Sequence, residues 1–345
     1  MAGQGGRLEH DDPGAIPQVA RTTSGDERVT RDILLFIGGV GVLYFGAEWL
    51  VRGASRLARS LGVSPMVVGL TVVSMGTSAP ELVISIVASL QGNPDLAVGN
   101  VMGSNLANIG LVLGISAILR PLHVSTKVVM REVLVMVVIT ALLLPLILDS
   151  QIGRLEGSLL VTMLVVYLTY VVWSSRKDDP EAPHVEQHQE TGDLSSRMIL
   201  RHSALTVVGA LGLVLGAFAI RESAVALAEA LGISELVIGL TLVSIGTSLP
   251  ELACCVVAAL RHEADIAVGN ILGSNIFNIT FVLGVTSILS PLGFHPDVLR
   301  LEFPAVMVIT VLMVPIVRHR LVIRRRQGFV LLSTYLVLFA LLVMG

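Results

Sequence analysis

Charge is scarce in this sequence: Asp, Glu, Lys and Arg make up only 14% of its 345 residues, against about a quarter in a soluble globular domain. With 53% hydrophobic residues and a mean hydropathy of +0.81, a water-exposed fold is excluded and the chain belongs in lipid. The net charge of −3 leaves no electrostatic footprint for nucleic acid. Cysteine is nearly absent as well. Cys254 and Cys255 are adjacent in an apolar run, so neither a disulfide framework nor a zinc site with usual ligand spacing is available, and both read as small packing residues. A secretory signal is missing too. Residues 1–31 are polar, Gly-rich and mixed in charge, with no short apolar run before a small-residue cleavage site, and read as a disordered leader.

What remains is a series of apolar runs, each near the roughly 20 residues that cross a hydrocarbon core at about 1.5 Å rise per residue. They can be laid out as ten spans at 32–58, 65–91, 95–119, 127–148, 155–174, 199–229, 235–261, 265–289, 298–317 and 327–344. The expected fold class is an all-α polytopic membrane protein. The one long polar connection, 175–198, separates a first half (32–174) from a second half (199–345), each of five spans. Basic residues sort by alternate loops. Arg52, Arg56, Arg59, Arg120, Lys127, Arg131, the central loop and the Arg318–Arg326 cluster fall on one side; apart from the basic residues of the leader, the other side has little besides Arg154, Arg221 and Arg300. The positive-inside rule then places both termini outside and the central loop in the cytoplasm.

The chain is internally duplicated. Residues 61–122 and 231–292 align without a gap at an offset of 170, with about 35 of 62 positions identical. A duplicated unit of five spans must enter the membrane from opposite sides in its two copies, so the expected architecture is two inverted five-helix repeats. Inversion brings equivalent positions together near the midplane, where one site can open first to one side and then to the other.

The repeated residues are polar where they should be apolar. Gly69–Leu82 reads GLTVVSMGTSAPEL and its copy, Gly239–Leu252, reads GLTLVSIGTSLPEL. A carboxylate in mid-span costs at least ~2.5 kcal/mol on insertion scales, so Glu81 and Glu251 call for a compensating role. Pro80 and Pro250 have no N–H for the carbonyls of Gly76 and Gly246, so both helices should break there. Freed carbonyls and carboxylates are the hard oxygens that Ca2+ takes in sets of six to eight. Ser74, Ser78 and Glu81 share one helix face, with Thr77 a turn before Glu81, and Ser244, Ser248, Thr247 and Glu251 repeat the pattern. A second motif, Gly99–Asn108 and Gly269–Asn278, sets Asn100, Ser104 and Asn108 (Asn270, Ser274 and Asn278) in a polar stripe beside a small-xxx-small face. Ser104, Asn108, Ser274 and Asn278 are candidate ligands or supports. Asn100 and Asn270 suit interhelical or capping hydrogen bonds as well as ligation.

With G-T-S-x-P-E and G-N-x-x-G-S-N-x-x-N each present twice, the sequence resembles the Ca2+/cation antiporter superfamily, in its prokaryotic Na+/Ca2+ exchanger branch. The resemblance implies a secondary antiporter exchanging Na+ for Ca2+ by alternating access, in a prokaryotic plasma (inner) membrane. By motif position it implies that Glu81, Glu251, Thr77 and Thr247 hold Ca2+. It further implies that Ser78, Ser248, Ser104, Ser274 and the backbone of Ser74 and Ser244 serve Na+, with Asn108 and Asn278 lining the centre. K+-dependent relatives have Asp where Asn278 stands, so K+ cotransport is not expected.

Other features read more plainly. His184 and His188, with Glu186 and Glu190, fit a solvated linker better than a metal site. Glu132 and Glu302 read as interfacial partners of basic residues, and Glu48 as a partner of Arg52 one turn away. The rivals are a Ca2+/H+ antiporter using the same acids, a cation channel, and an intramembrane enzyme. The enzyme is set aside because no nucleophile, metal-ligand set or cofactor motif accompanies the two acids. Beyond the bilayer, Ca2+ and Na+, neither a cofactor nor an obligate protein partner is expected.

Overall fold

A computed structural model describes residues 19–123, 126–175, 192–231, 244–318 and 322–344. We label the helices α1 Val19–Leu61, α2 Pro65–Thr77, α3 Ala79–Leu90, α4 Pro94–Leu119, α5 Thr126–Ile147 and α6 Arg154–Ser175 in the first half. In the second half they are α7 Gly192–Ala230, α8 Ser244–Thr247, α9 Leu249–Leu260, α10 Ala264–Leu289, α11 Val298–Arg318 and α12 Arg325–Met344. Four two-residue strands join them: β1 Leu122–His123, β2 Gln151–Ile152, β3 Leu292–Gly293 and β4 Val322–Ile323. Among the described residues, eight helices are long and apolar enough to cross a membrane, and the pair α2/α3, bent by 41°, makes a ninth. The expected span 235–261 lies partly outside the described residues, which resume with α8 and α9. The fold is an all-α polytopic membrane protein.

Two expectations need correction. α1 starts at Val19, well inside the segment read as a disordered leader, and α7 starts at Gly192, inside the segment read as linker. In both places an apolar span supplies the nucleus and the helix propagates outward through polar residues, each adding a hydrogen bond at little cost. Neither extension meets a proline. Residues 1–18 and the polar run with His184, Glu186, His188 and Glu190 lie outside the described residues.

The duplication is visible in the packing. β1 pairs antiparallel with β4, and β2 with β3, so each half supplies one strand to each ribbon. β2 and β3 must therefore lie on the same membrane face, which requires an even number of crossings between them. Among the described residues, α6, α7 and α10 supply three, and the short apolar helix α9 lies between α7 and α10. α12 packs on the C-terminal part of α4, and α6 packs on that of α10 in the repeat-related way.

Inversion shows directly in α1 and α7. A Cβ on Gly39 would sit 3.1 Å from Gly216 O, one on Gly46 2.7 Å from Gly212 C, and one on Gly53 2.7 Å from Thr206 N. Residue numbers rise along one helix as they fall along the other, so these first spans of the two repeats run antiparallel. Their glycine seam brings the backbones into contact. The core lies elsewhere, since the apolar windows of α10 and α4 are 83% and 78% buried, against 33% for α1 and α7. Gly269 and Gly273 seat α10 on α2, where added Cβ atoms would fall 2.7 Å from Met66 O and 2.5 Å from Leu70 O. That is the close approach the small-xxx-small face predicts.

Candidate ion site

Both Pro-Glu motifs break their helices as proline requires. Ser78 has φ −82° and ψ 3°, Ser248 has φ −86° and ψ 5°, and a new helix starts behind each with Pro at its first turn and Glu81 or Glu251 on it. The carboxylates thus sit at helix N-termini, where backbone N–H groups favour negative charge. The second motif carries a feature that its spacing does not announce. A π-helical turn starts at Asn108 (Asn108–Leu113) and again at Asn278 (Asn278–Val282), a local widening that recurs at functional positions.

The four motifs converge. Glu81 and Glu251 are fully buried, as are Ser74, Thr77, Asn108, Asn270, Ser274 and Asn278, and Ser78, Ser104, Thr247 and Ser248 are nearly so. Glu81 and Glu251 are close enough to repel each other; Ser104 faces Glu81 and Thr77 faces Glu251 across the repeat boundary. The Thr77 hydroxyl lies 3.0 Å from Asn270 Oδ1 and 3.2 Å from Ser274 Oγ. All four carboxylate oxygens, the hydroxyls of Ser78 and Ser248 and both amide atoms of Asn278 have no hydrogen-bond partner among the described residues. Buried polar groups seldom go unsatisfied, and a constellation rich in spare oxygens fits a hard cation. Two carboxylates balance one Ca2+ or two Na+. Among the described residues no group of three His, Cys, Asp or Glu is placed to hold a metal ion, and the oxygens beside the two acids there are neutral.

Not every expected ligand is spare. The Ser74 hydroxyl bonds to Gly69 O at 2.6 Å, and the Ser74 carbonyl accepts from Ser78 N at 2.9 Å; the Thr77 hydroxyl lies 3.3 Å from that carbonyl, but its single proton has the nearer acceptor in Asn270 Oδ1. The side chain of Ser244 lies outside the described residues; its backbone opens α8. Asn100 and Asn270 take the interhelical role. Asn100 Nδ2 donates to Ser85 Oγ at 3.0 Å and to the Glu81 carbonyl at 3.2 Å, and Asn270 Nδ2 donates to Cys255 Sγ at 3.4 Å. Ser85 and Cys255 are repeat-related, so Cys255 holds an Asn as well as packing. Asn105 and Asn275, absent from the expected set, lie at the pseudo-twofold: Asn105 Nδ2 donates to Asn275 O at 3.4 Å, and Asn108 Nδ2 to Asn275 Oδ1 at 3.3 Å.

The peripheral acids divide. Glu48 is bound by Arg52 (2.5 Å) and, in a two-point contact, by Arg261 at the C-terminus of α9. Glu132 is fully buried, paired with Arg131 and accepting the Tyr167 hydroxyl at 2.7 Å. Glu302 departs from its expected basic partner: among the described residues Oε2 is buried without a hydrogen bond, and the charges acting on it are Asp95 and Asp297. Arg221, read from sequence as an outer flank, lies within α7 with its stem against Gly246.

Residues 32–173 and 202–344 match the family described as sodium/calcium exchanger protein. The chain belongs to that family. It is 41% identical over 254 residues to CaxA of Alkalimonas amylolytica, covering 73% of this chain and 79% of that protein. It is 30% identical to the sodium/calcium exchanger MaX1 of Methanosarcina acetivorans, covering 89% of this chain and 97% of that one. A solved structure of the sodium-calcium exchanger NCX_Mj soaked with 10 mM Na+ and zero Ca2+ superposes with a TM-score of 0.78 at 32% identity, over 90% of this chain and 99% of the other.

Proposed function

We propose that this family member, a Na+/Ca2+ antiporter, binds its ions in turn at one midplane site built on Glu81 and Glu251. Thr77, Thr247, Ser78, Ser248, Ser104, Ser274, Asn108 and Asn278 surround the acids, with the backbone of Ser74 and Ser244 contributing. The observation that carries the reading is the set of buried, unpartnered oxygens: four from two carboxylates and two from the serines at the helix breaks. Two negative charges with no cationic partner among the described residues are very costly in a dry interior unless a cation or protons offset them. Ca2+ and Na+ compete for those oxygens, and that competition couples the flows. The halves 32–174 and 199–345 are the inverted repeats, and residues 175–198 include their connection. α1 and α7, packed backbone to backbone and outside the core, are the pair best suited to slide across it and expose the site to either face. The loop charges support an inner-membrane orientation with both termini outside.

The test is Ca2+ uptake into proteoliposomes loaded with Na+, compared with K+ or choline, with the pH gradient collapsed. Uptake should require internal Na+ and vanish in Glu81→Gln and in Glu251→Gln. Unchanged uptake in both variants removes the site assignment, and uptake restored by a pH gradient alone moves the reading to Ca2+/H+ exchange.

A further inference from the structure

The geometry points to Arg221 as a fixed positive charge on the approach to the ion site from the membrane face where α7 ends, a specificity-determining residue that opposes Ca2+ more than Na+. The inference rests on the reading of Glu81 and Glu251 as the ion site. Arg221 lies near the C-terminal end of α7, inside a span, where a charged side chain is costly unless it serves a function. Its Cγ and Cδ are 3.2 Å from the place a Cβ on Gly246 would occupy, so the stem crosses the turn just before the second helix break. Together with Pro80, Phe218, Gly246 and Thr247 it lines a narrow crevice between α7 and the two breaks. Pro80 precedes Glu81, and Thr247 is one turn before Glu251. Nε is buried without an acceptor, and among the described residues no carboxylate pairs with this guanidinium. The neighbouring acid, Glu222, is exposed.

The inverted repeat supplies an internal control. At the offset of 170, Arg221 corresponds to Val51 and Phe218 to Glu48. The equivalent approach from the opposite face, where α1 ends, thus has a buried valine in place of the cation, and an acid already held by Arg52 and Arg261. Among the described residues, the Arg221 guanidinium has no carboxylate partner, whereas on the other approach Glu48 is shared by Arg52 and Arg261.

Coulomb energy scales with the charge of the ion, so Arg221 acts on Ca2+ with twice the energy it exerts on Na+ at the same place. The two affinity factors are therefore related as a square: a charge that weakens Na+ about threefold weakens Ca2+ about ninefold. At the face where α7 ends, Arg221 therefore weakens Ca2+ more than Na+.

The half-saturating concentrations of Ca2+ and Na+ are to be measured at each face in right-side-out and everted membrane vesicles. Arg221→Gln should lower both at one face only, with the Ca2+ factor near the square of the Na+ factor, and Arg221→Lys should retain the wild-type ratio. Equal factors for the two ions, the same change at both faces, or identical behaviour of Lys and Gln overturns the inference. Should the Gln variant not fold, Arg221→Cys with Cys254→Ala and Cys255→Ser permits modification of the folded protein. A cationic thiol reagent should then restore the wild-type ratio and a neutral one should not. Uptake that depends on Glu81 and Glu251 but ignores Arg221 removes this inference alone, whereas uptake indifferent to both acids removes it together with the site reading.

Discussion

The hydroxyl of Thr77, in the first repeat, lies 3.0 Å from Asn270 Oδ1 in the second, bridging the helix break that carries Glu81 and the helix that carries Ser274. Both residues are fully buried, so Asn270 Oδ1 has no water to turn to if the donor is lost. Thr77→Val keeps the shape and removes the proton. It should cost roughly 1–3 kcal/mol, the penalty for a buried acceptor left unsatisfied, and lower Ca2+ affinity by disturbing the side chain that faces Glu251. Thr77→Ser restores the donor and should recover most of both. Thermal unfolding in detergent, with uptake on the same preparations, checks this; equal behaviour of Val and Ser would remove the bridge from the account.

Ser78 and Ser248 make the opposite prediction. Their hydroxyls are buried without partners among the described residues, so Ser78→Ala or Ser248→Ala should leave the unfolding midpoint of the ion-free protein unchanged or slightly raised. Na+ affinity should nevertheless fall severalfold, since those oxygens are reserved for the ion. Asn100→Ala, which removes the bonds to Ser85 and the Glu81 carbonyl, should lower the midpoint. A serine variant that loses stability without losing Na+ affinity would mark its hydroxyl as structural.

Much of this is legible in the sequence. The offset of 170 gave the duplication, the odd span count gave the inversion, and the mid-span prolines beside Glu81 and Glu251 gave the breaks now seen at Ser78 and Ser248. What escaped is what depends on contacts across the pseudo-twofold. Asn105 and Asn275 stand off the stripe with period four, and only the approach of the two copies brings Asn275 to Asn108. Arg221 looked like a span flank because charge near a span end ordinarily snorkels to water. Gly39, Gly46 and Gly53 recur every seven residues and could have indicated the seam with Gly209, Gly212 and Gly216, a signal present in the sequence and not used.

Glu48 forms a cross-repeat contact of another kind, from α1 to Arg261 at the end of α9. The carboxylate is buried while the Arg261 side chain is 43% exposed, so Glu48→Gln should cost about 1–3 kcal/mol, below the range for a wholly buried pair. The exchange Glu48→Arg with Arg261→Glu should recover part of that loss, with Arg52 limiting the rescue. A swap no better than the worse single variant would show that helix packing, not charge pairing, holds α1 to α9 here.

The glycine seam makes the sharpest mechanical prediction. A Cβ on Gly209 would lie 2.7 Å from Leu50 Cα and 2.8 Å from Gly46 O, both backbone atoms that cannot rotate aside. Gly209→Ala must therefore push α1 and α7 apart, at the roughly 1–3 kcal/mol typical of overpacking. Gly41 is on the same helix as Gly46 but has nothing within 4 Å of its added Cβ, so Gly41→Ala should be neutral or gain up to about 1 kcal/mol from helix propensity. If the two helices move as one body, the displaced pair should still bind Ca2+ at equilibrium while turnover falls. Ca2+ binding to the purified protein, set beside uptake rates for the two alanine variants, separates the effects. Loss of binding and turnover in the same proportion would place the seam in the architecture of the site and not in the motion that exposes it.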